Sequence, residues 1–151
     1  MTSLTPYDPD CAFCQIARGD GEAQIVDEGQ TWIAFFPLDP ATPGHTLVIP
    51  KAHVRDYWDV RVPKLTSDLA AACRDVGLAV NSAAKPDGMN LITSAGSAAE
   101  QTVFHLHLHL VPRWADDEFG EIWPKPGRYE RDDLDGLLDQ IKMEIAKGTG
   151  G

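Results

Sequence analysis

Between positions 104 and 110 the chain reads Phe-His-Leu-His-Leu-His-Leu, so His105, His107 and His109 alternate with apolar residues. A period of two belongs to a β-strand, in which side chains i and i+2 share a face roughly 6.6–6.8 Å apart. The pattern predicts a strand over 103–111 with three imidazoles on one face. Phe104, Leu106, Leu108 and Leu110 line the other face and supply core. A merely solvated face would be served equally well by Ser, Thr, Lys or Glu, so the histidines call for a chemical reason. The two remaining histidines, His45 and His53, lie upstream.

The flanking sequence places this strand in one α+β domain. Gln24–Glu28 and Thr31–Phe36 read as two strands joined at Gly29-Gln30. The segment 37–44, with three prolines and a glycine, is a loop. His45–Ile49 is a β-branched strand stopped by Pro50. Leu65, Leu69, Ala72, Cys73, Val76 and Val80 recur at three- and four-residue intervals, which makes Pro63–Ala84 an amphipathic helix. Asn90–Thr93 reads as a strand and Ser94–Gln101 as a small-residue loop. A last helix spans about Asp132–Lys147, with Leu134, Leu137, Leu138, Ile141 and Ile145 on one face. Several strands with a long central helix and a C-terminal helix indicate a mostly antiparallel sheet. Residues 1–10, with two prolines and no periodicity, read as a loose end. With 151 residues and no linker or repeat, 1–151 is read as a single domain whose acidic extension begins near 115.

The formal net charge is −10. That argues against a nucleic-acid polymer as partner, because such binders carry a basic footprint. Small phosphorylated ligands remain compatible, since a local cluster of donors binds them whatever the bulk charge. The charge is also uneven. Residues 116–139 hold nine acids against three bases, so six of the ten net negative charges sit there. No apolar run approaches the ~18–20 residues of a membrane span, and the first residues lack the regions of a signal peptide. A cytoplasmic location is expected. The three cysteines then do not suggest a disulfide framework. Cys73, within a run of alanines, reads as a small buried apolar residue.

A neutral imidazole is a nucleophile near pH 7 and a proton shuttle. Phosphorus is a natural target, provided that donors hold its non-bridging oxygens. The loop before the histidines offers Ser94, Gly96, Ser97, Gln101 and Thr102, which suit an oxyanion.

These residues resemble a known family. His105-Leu-His107-Leu-His109-Leu-Val111 matches the H-φ-H-φ-H-φ-φ motif of the histidine-triad (HIT) nucleotide hydrolases and transferases. Pro43-Gly44-His45-Thr-Leu-Val-Ile-Pro-Lys51-Ala-His53 is similar to the family's G-H-x-L-V-I-P-K-x-H segment, and Gln101-Thr-Val-Phe-His105 to its Q-x-V-x-H approach. The resemblance implies that His107 is a nucleophile forming a nucleotidyl-histidine intermediate. It implies that His109 lies beside the α-phosphate, that Gln101 and Thr102 donate to phosphate or leaving group, and that His45 supports the site. It also implies a homodimer formed through the sheet and central helix.

Three departures accompany the match. Glu100 stands where many relatives have glycine. Pro37, eight positions before His45, replaces the acid or amide that holds ribose hydroxyls in the family, with Asp39 as a possible substitute. Ser94 replaces a common asparagine. The last two touch nucleoside or phosphate recognition.

Cys11-Ala-Phe-Cys14 alone is compatible with metal binding, redox chemistry or chance. Zinc takes four Cys or His ligands in a closed site, and His53 and His105 can complete a Cys₂His₂ set. Family members with an N-terminal C-x-x-C resemble this arrangement, with structural zinc at those positions. A vacant site or a redox pair is the alternative.

The resulting expectation is a hydrolase of nucleoside phosphoramidates, nucleotidyl anhydrides or dinucleoside polyphosphates. A nucleotide-binding regulatory or scaffold module with little turnover is the alternative, motivated by Pro37 and Ser94. Trp114 and the stretch Phe119–Tyr129, with Trp123, are either pocket or dimer aromatics, or ordinary packing.

Overall fold

The structure, a computed structural model, describes residues 6–148. The chain falls into two compact units, 1–119 and 120–151. In the first, helix α1 (Ala12–Arg18) precedes strands β1 (Gln24–Glu28), β2 (Trp32–Phe36) and β3 (Thr46–Pro50). Helix α2 (Pro63–Ala84) then leads to β4 (Gly88–Ile92) and β5 (Leu108–Arg113). The strands form one sheet in the order β1-β2-β3-β5-β4, and each neighbouring pair is antiparallel.

The alternating side chains of β2 and β3 feed two cores. Ala34 and Val48 join Leu106, Leu108 and Leu110 beneath the α2 stripe of Leu69, Ala72, Cys73, Val76 and Val80. Ile33, Phe35, Leu47 and Ile49 face the opposite way and pack against Phe13, Ile16 and Ala17 of α1. The α2 stripe is the one its spacing predicts, and Pro63 stands in its first turn, where a missing N–H costs nothing. Cys73 is buried there, and burial pushes its thiol up to about 11. In the β1–β2 turn a Cβ on Gly29 would run into the Trp32 indole. Gly44 takes φ +85°, a left-handed conformation that favours glycine at the entry to β3, whereas a Cβ there would meet Val80, Ala84 and Pro112 only at ordinary contact distance.

Two expectations change. The strand predicted over 103–111 starts only at Leu108. Leu106 N–H donates to the Val54 carbonyl at 2.6 Å, so the chain before β5 runs beside the 51–56 segment and leaves the sheet ladder. Leu106 still reaches the core, but Phe104, in the bend ahead of the ladder, is 47% exposed. Second, the N-terminal end is tied down where it is described. Pro6 C=O accepts from His53 N–H at 2.8 Å, and Asp8 C=O from Cys11 N–H at 3.2 Å. Residues 1–5, the rest of that expected loose end, lie outside the described residues.

The second unit contains a 3₁₀ turn (Asp132–Leu134) and helix α3 (Asp135–Ala146). The predicted helix is present, but Leu137, Leu138, Ile141 and Ile145 are 48–65% exposed. Trp123 and Tyr129 are also largely exposed, at 81% and 76%, so neither is ordinary core packing.

Candidate active site

The five histidines divide between two adjoining clusters. Hydrogen-bond logic assigns a tautomer to four of them, because a backbone carbonyl only accepts and an amide N–H only donates.

His105 is fully buried. Its Nε2 lies 2.9 Å from Pro50 C=O and carries the hydrogen. Its Nδ1 lone pair is therefore left for Cys11 Sγ at 3.4 Å and Cys14 Sγ at 3.5 Å. His53 Nδ1 is 3.2 Å from Cys14 Sγ. The four ligand atoms of Cys11, Cys14, His53 and His105 lie within 4.8 Å of one another, and this group can hold a metal ion. The fold assembles it from three places: the first turns of α1, the segment after β3, and the approach to β5. Burial holds the His105 imidazole down near 4, so its ring is neutral and suited to ligation.

His107 has its Nδ1 at 2.7 Å from the His105 carbonyl. Nδ1 therefore carries the hydrogen, and Nε2 keeps its lone pair. Burial lowers the pKa of His107, which keeps that lone pair unprotonated at neutral pH. Thr93 Oγ1 donates to the His107 carbonyl at 2.9 Å and holds its backbone.

His45 and His109 form a relay. Ala41 N–H donates to His45 Nδ1 at 3.0 Å, so His45 carries its hydrogen on Nε2. That hydrogen points to His109 Nδ1, 2.9 Å away. His109 consequently carries its own hydrogen on Nε2, as a donor. Burial, then the neighbouring His107 and His45, bring His109 down to about 4. Burial, with His107 beside it, also lowers His45. The His107 and His109 rings lie 4.9 Å apart, setting a free lone pair beside a ring N–H. Such a pair can form a bond to an electrophile while donating a hydrogen bond to its oxygens.

A cavity of about 590 Å³ opens at His45. Phe36, Pro37 and Leu38 give it apolar walls, and Glu22 and Gln24 line it with polar groups. That volume suits a small organic ligand.

The loop donors do not all stand as expected. Gln101 is buried, but its amide is committed to backbone. Oε1 accepts from Gly96 N–H at 2.8 Å, and Nε2 donates to Arg55 C=O at 2.7 Å and Val103 C=O at 3.1 Å. In this structure Gln101 therefore shapes the loop and has no amide hydrogen left over for a phosphate. Thr102 is exposed and Ser94 half-buried. Asp39 is exposed and does not line the cavity, whereas Glu22 and Gln24 do. Those two were not singled out from the sequence, because a polar residue at, or just before, the start of an edge strand carries no pattern.

Comparison with known proteins agrees with this geometry. The HIT domain family model matches residues 18–116. The protein named Protein hit of Bacillus subtilis is 33% identical over 138 residues, covering 90% of this chain and 94% of its own. A crystal structure from Streptococcus mutans aligns with TM-score 0.86 at 38% identity, covering 94% of this chain and 89% of that one. A zinc-bound histidine triad family protein from Mycobacterium smegmatis aligns with TM-score 0.68 at 36% identity, covering 89% and 96%. On the triad geometry and these matches together, the chain belongs to the HIT family, whose members are generally nucleotide hydrolases or transferases.

Proposed function

We propose that this protein hydrolyses small nucleotides by attacking the α-phosphorus through His107. Nucleoside phosphoramidates, nucleotidyl anhydrides and dinucleoside polyphosphates are the substrate class. The observation that carries this reading is the tautomer of His107, whose Nδ1 hydrogen is spent on the His105 carbonyl at 2.7 Å. In the first half-reaction Nε2 forms a bond to phosphorus, and the bond to the leaving group breaks with its electron pair. The His109 Nε2 hydrogen, set by His45, serves the phosphoryl oxygens or the leaving atom. In the second, water adds to phosphorus and gives up a proton, which replaces the one taken up with the leaving group, the P–N bond breaks, and its electron pair returns to His107 Nε2. The cavity beside His45 takes the nucleoside, with Glu22 and Gln24 as its hydrogen-bonding groups, since Pro37 has no side-chain donor or acceptor.

The metal we assign is structural zinc. Zn–S near 2.3 Å and Zn–N near 2.0–2.1 Å put the S···N edges of a tetrahedron at about 3.5–3.6 Å. The observed Sγ···Nδ1 separations, 3.2–3.5 Å, suit such a site. Four protein ligands close it, so it supplies stability and no open coordination position. Burial raises the Cys14 thiol, whereas a redox-active thiol is expected to be lowered. We also place the protein in the cytoplasm, a reducing compartment in which cysteines stay available as metal ligands. We propose a homodimer through α2 and the edge strand β4, where Leu78 and Leu91 are 55% and 60% exposed.

The test is turnover across the three substrate types with His107→Asn as control. A loss of about 10³-fold or more, roughly 4 kcal/mol, together with loss of covalent labelling, is expected. Activity within about tenfold of wild type refutes the assignment. Binding of nucleoside monophosphates without turnover on any substrate supports the scaffold reading instead.

A further inference from the structure

The metal-ligand group and the proposed nucleophile share a wall. Phe13 stands between Cys11 and Cys14 in the chain, and its ring meets three others edge-on. Phe35 lies at 5.5 Å and 72°, His105 at 5.9 Å and 73°, and His107 at 5.3 Å and 84°. The His107 ring is thus set between Phe13 and the His109 ring at 4.9 Å. Edge-on contacts of this kind favour one ring orientation over others.

Helix α1, which carries Phe13, has little stability of its own. It is seven residues long, and its N-cap residue Cys11 makes no side-chain capping bond. Helices this short persist through tertiary anchors. Those anchors are Cys14, fully buried among the ligand atoms, and the packing of Phe13 and Ile16 on the sheet. Release of the two cysteines frees the helix turn that holds Phe13 against His107. His105 gives a second connection, since its ring belongs to the ligand group while its carbonyl holds His107 Nδ1.

We infer that Phe13 is a positioning residue that transmits occupancy of the Cys11–Cys14–His53–His105 group to the orientation of the His107 ring. The metal group would then tune catalysis without touching substrate. Displacing a reacting atom by about 1 Å can cost on the order of 10²-fold in rate. This inference rests on the proposed role of His107 for its kinetic consequence, but its structural half stands without that role.

The experiment uses the full chain as wild type and as Phe13→Leu, a swap that keeps an apolar side chain of similar bulk and removes the aromatic edge. Bound metal is counted first. The His107 ring resonances are then recorded at one fixed pH, with and without a chelator, and kcat and KM are measured on a nucleoside 5′-phosphoramidate. The expected result is unchanged metal content, a kcat lower by about 10- to 100-fold, and a KM within about threefold. The His107 resonances of the variant should be displaced, in the same sense as chelation displaces them in wild type. Wild-type His107 resonances indifferent to chelation would overturn the inference. So would a Phe13→Leu protein with unaltered kcat and unaltered resonances. If no substrate is turned over by wild type, the reaction reading fails, and the resonances still decide the coupling.

Discussion

His45 Nε2 and His109 Nδ1 lie 2.9 Å apart, and the hydrogen between them belongs to His45. The Ala41 amide enforces this by occupying His45 Nδ1 from the other side at 3.0 Å. A backbone N–H in the proline-rich loop thereby decides which nitrogen of a triad histidine carries a hydrogen, at a distance of two rings.

Removal of that relay is expected to impair chemistry more than binding. His45→Ala leaves His109 free to adopt the wrong tautomer, so kcat should fall by about 10- to 100-fold, or ~1.4–2.8 kcal/mol. KM should change less, because His45 forms only one edge of the cavity. Steady-state kinetics with a phosphoramidate check this, and a KM effect larger than the kcat effect would count against the relay.

Acid should weaken the fold through the same pair. His109 is brought down to about 4 in the folded protein, against an ordinary value near 6.5, mainly by burial. The unfolded chain therefore binds the additional proton first. This contribution to stability is full above about pH 6.5 and is lost progressively as pH falls toward 4. The slope from one histidine is at most about 1.4 kcal/mol per pH unit, reduced by the partial exposure of His109. Urea midpoints measured at pH 7, 5.5 and 4.5 should fall in that order, and His109→Gln should flatten the trend.

Much of the sheet was readable because hydrophobic period follows secondary structure. The α2 stripe and the alternation in β2 and β3 lie where their spacing puts them. Helix α1 was not readable, since seven residues give too few repeats to establish a period. The histidine row was readable as a family motif but not as geometry. A strand rule places three rings on one face, whereas Leu106 bonds to Val54 and the chain leaves the ladder. His105 then joins two cysteines more than 90 positions away in sequence. No local pattern encodes that encounter.

The cavity distinguishes two acids. Asp39 is exposed and is not itself part of the lining, although its neighbours Leu38 and Pro40 are, while Glu22 and Gln24 belong to it. Glu22→Ala combined with Gln24→Ala should raise KM by about tenfold, the loss of roughly 1.4 kcal/mol of hydrogen bonding, with kcat nearly retained. Asp39→Ala should leave both constants within about twofold of wild type. The reverse ranking in a kinetic comparison would return ribose recognition to Asp39.

Gln101 is expected to matter for stability before catalysis. Its side chain spans Gly96 N–H, Arg55 C=O and Val103 C=O from a buried position. Gln101→Ala deprives three backbone groups of partners, which costs about 1–3 kcal/mol wherever water cannot replace the amide. Denaturant unfolding should show that loss in a variant whose active-site histidines are untouched. A stability equal to wild type, with only KM raised, would instead mean that the amide leaves the loop to hold phosphate.

Metal removal provides the largest stability test. Cys11 and Cys14 lie close in sequence, but His53 and His105 come from distant segments. An ion bound only by the folded chain adds about 4 kcal/mol when free metal exceeds its dissociation constant by 1,000-fold. Preparations made without a histidine tag should contain about one zinc per chain, and a chelator should lower Tm by roughly 10 °C. Cys14→Ala should reproduce the metal loss and show no further response to chelator, because its buried thiol bridges toward both histidines. Metal-free wild-type protein with an unchanged Tm in chelator would remove zinc from this fold, leaving the four residues as a packed polar cluster.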